Sequence, residues 1–135
     1  MDIPAAATIL IADDNPQILE LLEAYLDLPG VRIITAANGE QSLESVERER
    51  PDLILLDVMM PKRSGFEVCR QLKQAERTRQ IPILMITALN EPSDVDRARE
   101  LGADDIISKP VNKLDLLARV RRLLEHRAAG PSDLS

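Results

Sequence analysis

Aromatic residues are nearly absent from this sequence, which has one Phe, one Tyr and no Trp. It therefore offers no platform on which nucleic-acid bases could stack. The formal net charge of −6 likewise removes the basic surface that nonspecific attraction to DNA or anionic lipid requires. No apolar run approaches the length of a membrane span. The single Cys69 excludes an internal disulfide and reads as a small buried hydrophobe within a helical pattern. The lone His126 has no His or Cys partner at metal spacing. Met1 to Thr8 lacks a basic region followed by a long apolar segment, so no secretory signal is expected and a cytoplasmic location follows.

What is present suits one globular domain. The chain has 135 residues, 44% hydrophobic and 30% charged, long enough to bury a core without disulfides or structural metal. Three short apolar runs, Thr8–Ala12, Leu53–Leu56 and Ile81–Thr87, lack polar alternation and so predict strands covered on both faces. Val31–Ala36 and Asp104–Ser108 are interrupted by Arg32 and by Asp104-Asp105, as edge strands would be.

Helical spacing fills the intervals. Pro16 follows the capping residue Asn15, and Ile18, Leu21, Leu22, Tyr25 and Leu26 make a stripe that Pro29-Gly30 ends. Asn38 with Gln41 and Ser64 with Glu67 have capping-box spacing. Pro92–Leu101 is a charged, weakly apolar helix for which Gly102 is a left-handed stop. Leu116, Leu117, Val120, Leu123 and Leu124 stripe the last helix, and Arg127–Ser135 reads as a tail. Five strands alternating with five helices predict an α/β, doubly wound (βα)5 flavodoxin-like fold, with a five-stranded parallel sheet in the order 2-1-3-4-5.

In such a sheet all strand C-termini share one rim, which gathers Asp13-Asp14, Asp57, Thr87 and Lys109. Crowded carboxylates repel unless they are neutralised, and their hard oxygens with a hydrated, open site suit Mg²⁺, with Mn²⁺ as an alternative. A phosphoryl group on Asp57 would add about −1.5 to −2 charges and three acceptor oxygens. The Mg²⁺ ion, the Lys109 ammonium and the Thr87 hydroxyl are suited to receive those oxygens.

Through Ile11-Ala12-Asp13-Asp14-Asn15, Leu56-Asp57-Val58-Met59-Met60-Pro61, Gly65, Ile86-Thr87-Ala88, Gly102-Ala103 and Lys109-Pro110, the chain resembles the receiver domain of two-component response regulators. The resemblance covers residues 8–126, with 1–7 as an N-terminal extension and 127–135 as a tail or the start of a linker. It implies that Asp57 is the phosphoacceptor and that Thr87 and Lys109 hold the phosphoryl group. It also implies that Asp14, Asp57 and the Met59 backbone carbonyl bind Mg²⁺ directly, with Asp13 acting through water, and that the Lys109-Pro110 bond is cis. The donor would be a sensor histidine kinase or phosphotransfer protein, with small acyl phosphates as substitutes. The domain would be a switch and not an enzyme, catalysing only its own phosphorylation and dephosphorylation.

Some positions depart from the family pattern. Ile106 replaces the aromatic residue common three positions before the site lysine, and Val111 replaces a common Phe. Met59 and Leu89, which flank the path of hydrolytic water, are both apolar, so a long-lived phosphoryl group is expected. Arg97, Asp104, Asp105, Asp115 and Arg119 have the mixed signs of a self-complementary homodimer surface around helix 4, strand 5 and helix 5. A haloacid-dehalogenase-type phosphatase is disfavoured because it needs Asp-x-Asp after strand one, where Asp13 and Asp14 are adjacent here, and because no added cap domain exists to enclose a substrate; a P-loop hydrolase is disfavoured because the Gly-rich spacing is absent. A receiver that only binds partners would not need all five site residues. Stand-alone receiver, relay component and N-terminal part of a larger regulator all remain open.

Overall fold

Continuous apolar strands need cover on both faces, and the computed structural model, described over residues 6–88 and 92–129, supplies it. The elements in chain order are β1 (Ala7–Ala12), α1 (Pro16–Tyr25), β2 (Val31–Ala36), α2 (Gly39–Glu49), β3 (Leu53–Asp57), α3 (Gly65–Gln74), β4 (Ile83–Thr87), α4 (Pro92–Glu100), β5 (Asp105–Ser108) and α5 (Lys113–Ala129). All strand pairs are parallel, in the order β2-β1-β3-β4-β5.

Side-chain alternation splits the core in two. Ile9, Ile11, Leu53, Leu55, Leu84 and Ile86 pack against α1 and α5, meeting Leu22, Leu26, Leu116, Val120 and Leu124. Leu10, Ala12, Ile54, Leu56, Ile83 and Met85 pack on the other face against Val46 of α2, Phe66, Val68, Cys69 and Leu72 of α3, and Ala98 of α4. Burying each large aliphatic side chain contributes roughly 1.5–3 kcal/mol, and most of the largest fully buried side chains lie on the three central strands.

The helix starts follow from their caps. Asn15 Oδ1 accepts from Gln17 N at 2.8 Å, with Pro16 opening α1. Asn38 Oδ1 accepts from Gln41 N at 2.9 Å, and Gln41 Oε1 accepts from Ala37 N at 2.8 Å, one residue earlier than in a standard capping box. Ser64 Oγ accepts from Glu67 N at 3.2 Å. Gly102 terminates α4 with φ +100°, and an added Cβ there would meet Lys73 Cγ at 2.9 Å.

Several boundaries differ from expectation, by one residue at the start of β1 and the end of α4, and with an identifiable cause or consequence at β4, β5 and α5. β4 begins at Ile83, because Ile81 belongs to the preceding turn, where its N–H bonds the Thr78 carbonyl, and Pro82 has no N–H to add to the ladder. β5 begins at Asp105, because Asp104 turns its carboxylate onto Lys73 Nζ (2.8 Å) and Ile83 N (2.8 Å). α5 runs on to Ala129, so its last turn takes in the start of the segment read as a tail.

Candidate functional site

Strand register assembles the site before any side chain is considered. Ala12 pairs with Leu56, so Asp13 emerges beside Asp57. Asp57 pairs with Ile86 and Thr87 with Ser108, so Thr87 and Lys109 each emerge one step further along the same rim. Backbone bonds continue the sheet past the strand ends: Asp13 N donates to Ala36 O (3.0 Å), Val58 N to Ile86 O (3.1 Å) and Lys109 N to Thr87 O (2.8 Å).

The side chains converge accordingly. Asp13, Asp14 and Asp57 each present a carboxylate oxygen, all within 4.8 Å of one another. Lys109 Nζ lies 3.1 Å from Asp57 Oδ1 and 3.3 Å from Asp13 Oδ2. Asp13, Asp57 and Thr87 are buried, whereas Asp14 is exposed. Asp13 is further held by Asn15 N, which donates to its Oδ1 at 2.9 Å.

Burial pushes the Asp57 carboxyl above the ordinary carboxylate range; the Lys109 hydrogen bond works against this, and the charges of Asp13 and Asp14 add to it. Burial alone would lower Lys109, but its contacts with Asp57 and Asp13 outweigh that and hold the ammonium above its usual value. One cation thus faces three carboxylates. The donor set is all oxygen, it carries excess negative charge, and Asp14 leaves one side open to water, which fits a hard divalent cation.

The loop after Asp57 is built for close approach. Gly65 N donates to Val58 O at 2.8 Å, and a Cβ on Gly65 would lie 2.1 Å from the Asp57 carbonyl oxygen. Lys62 turns the loop with φ +68°. Sequence reasoning missed the tight packing of Gly65, whose only signal is a glycine directly after a capping serine. The Lys109-Pro110 bond is cis, as the resemblance implies. Next to it Ile18, Leu21, Leu22, Tyr25, Lys109, Pro110 and Val111 line an apolar groove of about 400 Å³.

The response regulator receiver domain model matches residues 9–121. The chain belongs to this receiver family. It is 46% identical over 125 residues to the alkaline phosphatase synthesis transcriptional regulatory protein PhoP of Bacillus subtilis, covering 92% of this chain and 51% of that protein. It is 43% identical over 116 residues to the DNA-binding dual master transcriptional regulator RpaA of Synechocystis, covering 86% and 48%. The receiver spans about half the length of these curated relatives. A receiver domain of a signal transduction histidine kinase from Syntrophus aciditrophicus superposes with TM-score 0.86 at 38% identity, covering 94% and 96% of the two chains. A receiver domain of a Pseudomonas aeruginosa sensor histidine kinase, solved with magnesium coordinated in its active site cleft, superposes with TM-score 0.81 at 31% identity, covering 90% and 99%.

The residues expected at a dimer surface fall into two groups. Arg119 bridges Asp105 (2.7 Å) and Asp115 (2.9 Å), and Arg122 also pairs with Asp105. Arg97 instead lies over the Phe66 ring, 4.5 Å from its centroid, and Asp104 is engaged with Lys73. Leu89 lies outside the described residues. His126 is exposed, and Cys69 is buried as its helical pattern predicts. Among the described residues no helix is long and apolar enough to cross a membrane.

Proposed function

We propose that this receiver takes a phosphoryl group on Asp57 and works as a two-component signalling switch. The observation that carries the reading is the 3.1 Å contact of Lys109 with Asp57 inside the three-carboxylate cluster. An Asp57 oxygen attacks the donor phosphorus, the donor's P–N or acyl P–O bond breaks, and the leaving group departs with that electron pair. Asp13, Asp14, Asp57 and the Met59 backbone carbonyl would hold Mg²⁺, which supplies neutralisation of the transferring charge. Lys109 pairs with one phosphoryl oxygen and Thr87 donates to another, so both act where charge gathers.

The donor is a sensor histidine kinase or phosphotransfer protein, as the family resemblance implies, and we place the reaction in the cytoplasm. Phosphorylation changes the surface around α4, β5 and α5. The similarity to transcriptional regulators supports an output partner that binds DNA, while this acidic chain makes no direct nucleic-acid contact.

The test is intact mass after acetyl phosphate with Mg²⁺, with Asp57→Asn as control. One added phosphoryl mass in the wild type and none in the variant is expected. No addition with any donor would refute the reading.

A further inference from the structure

Of the sulfur-bearing side chains in the described residues, only Met59 is open to solvent. It is 63% exposed, whereas Met60, Cys69 and Met85 are buried. Cys69, the usual target of oxidants, is disabled twice. Its Sγ sits under α4, 3.7 Å from the Leu101 carbonyl, and burial pushes its thiol up to about 11, away from the reactive thiolate. An oxidant that meets this receiver therefore meets the Met59 thioether first.

The position of that thioether gives its oxidation a consequence. Met59 stands two residues beyond Asp57, on the loop turned by Lys62. With Val58, Met60 and Pro61 it forms the apolar wall of an open groove of about 500 Å³, and Asp14, a member of the carboxylate cluster, forms part of the polar side. A thioether is a weak acceptor and leaves water in that groove without a fixed partner. A sulfoxide oxygen is a strong, directional acceptor at the same place.

We propose that Met59 is an oxidant-responsive modification site whose sulfoxide shortens the life of the phosphoryl group on Asp57. In the modification step a hydroperoxide delivers its terminal oxygen to sulfur. The O–O bond breaks and an S–O bond forms. The sulfur gives up two electrons, and the hydroperoxide leaves as the alcohol, or as water from hydrogen peroxide, keeping the proton. The sulfoxide then holds a water in the groove beside the phosphoryl group, where the apolar side chain held none. This rests on Asp57 being the phosphoacceptor.

The test labels the protein with acetyl phosphate and Mg²⁺, removes the donor, adds hydrogen peroxide to half, and follows phosphoryl loss beside peptide-level oxidation. Met59 sulfoxide should accumulate about tenfold faster than sulfoxide at Met60 or Met85. The phosphoryl group should decay several-fold faster in the oxidised half, and a methionine sulfoxide reductase should reverse the effect. In Met59→Leu, treated and untreated decay rates should coincide. Equal oxidation of Met60 or Met85, or acceleration that persists in Met59→Leu, would overturn the proposal. Because oxidant is added only after labelling, failure to take label counts against the phosphoacceptor reading, whereas a label that outlasts complete Met59 oxidation counts against this inference alone.

Discussion

Lys109 Nζ stands 3.1 Å from Asp57 Oδ1 and 3.3 Å from Asp13 Oδ2, yet the Asp57 carboxyl is held above the ordinary range, because burial disfavours its charged form and the Asp13 and Asp14 charges add to this against the pull of the ammonium. The lysine orders the cluster without balancing its charge. Receivers are signalling switches, and this one keeps at its reactive rim a repulsion that a cation or a bound partner would relieve.

The first prediction concerns pH. Asp57's folded value is raised, so the folded state favours its protonated form. Its contribution to stability is complete below the ordinary carboxyl range and is lost as pH rises through the raised value. Metal-free protein should therefore lose stability over that interval. Asp57→Asn should flatten this component and raise the neutral-pH melting temperature by about 3 °C, for a gain of about 1 kcal/mol. Melts in chelator across the acid-to-neutral range check this. Lys109, also raised, contributes stability below its ordinary value that is lost only in the alkaline range above it.

The two neighbouring acids should behave oppositely. From the sequence alone, replacing either Asp13 or Asp14 with Ala is expected to relieve repulsion. The structure divides them: Asp14 is exposed, while Asp13 is buried, accepts from Asn15 N and pairs with Lys109. Asp14→Ala should raise metal-free stability by about 0.5 kcal/mol, and Asp13→Ala should lower it by about 1–2 kcal/mol through the lost hydrogen bond and ion pair. Chemical denaturation in chelator separates the two, and a gain for Asp13→Ala would contradict the role assigned to Asn15.

How much of this is legible in the sequence depends on the range of the interaction. The sheet order follows from which runs are unbroken, since the runs containing Ile9-Leu10, Ile54-Leu55 and Leu84-Met85 must be covered on both sides while those containing Arg32 and Asp105 suit an edge. The rim residues follow from strand ends. Asp104 does not, because its partner Lys73 is 31 residues away and no local pattern pairs them. Sign alone groups Arg97 with the other charges, but a guanidinium over the only Phe of the chain is a packing fact. Helical spacing places Leu21 in α1's stripe, yet it is 42% exposed, because the β5–α5 connection leaves a groove there.

That groove gives the third prediction. An apolar trough running to Lys109 suits a helix of the protein donor, and small acyl phosphates do not need it. Leu21→Glu should reduce phosphotransfer from a phosphorylated kinase or phosphotransfer protein about tenfold, equivalent to about 1.4 kcal/mol. Labelling by acetyl phosphate should be unchanged. Equal losses with both donors would mean that Leu21 supports the fold and not the encounter.

Self-association through α4, β5 and α5 is checked by sedimentation. Asp105, Asp115, Arg119 and Arg122 already satisfy one another within the chain, so a second copy adds affinity only by sharing those charges. The phosphorylated protein should sediment increasingly as a dimer as its concentration rises, and high salt should weaken this. Arg119→Ala should remove it, whereas Arg97→Ala should have a smaller effect, since that guanidinium is spent on Phe66.

The strictest prediction falls on Gly65. A Cβ there would sit 2.1 Å from the Asp57 carbonyl oxygen and 2.8 Å from Val58 Cα, both backbone atoms that no rotamer change can move. Gly65→Ala must therefore push α3 away from the end of β3, breaking the bond from Gly65 N to Val58 O and shifting the loop that carries Met59. The expected cost is about 2–3 kcal/mol, near the upper range for overpacking. Phosphoryl uptake should fall even where the variant remains folded, because that loop supplies the Met59 carbonyl to the proposed cation site. Circular dichroism melts beside intact-mass labelling read the two effects separately. A variant with wild-type stability and wild-type uptake would show that α3 is not seated on Asp57 in the way that organises this site.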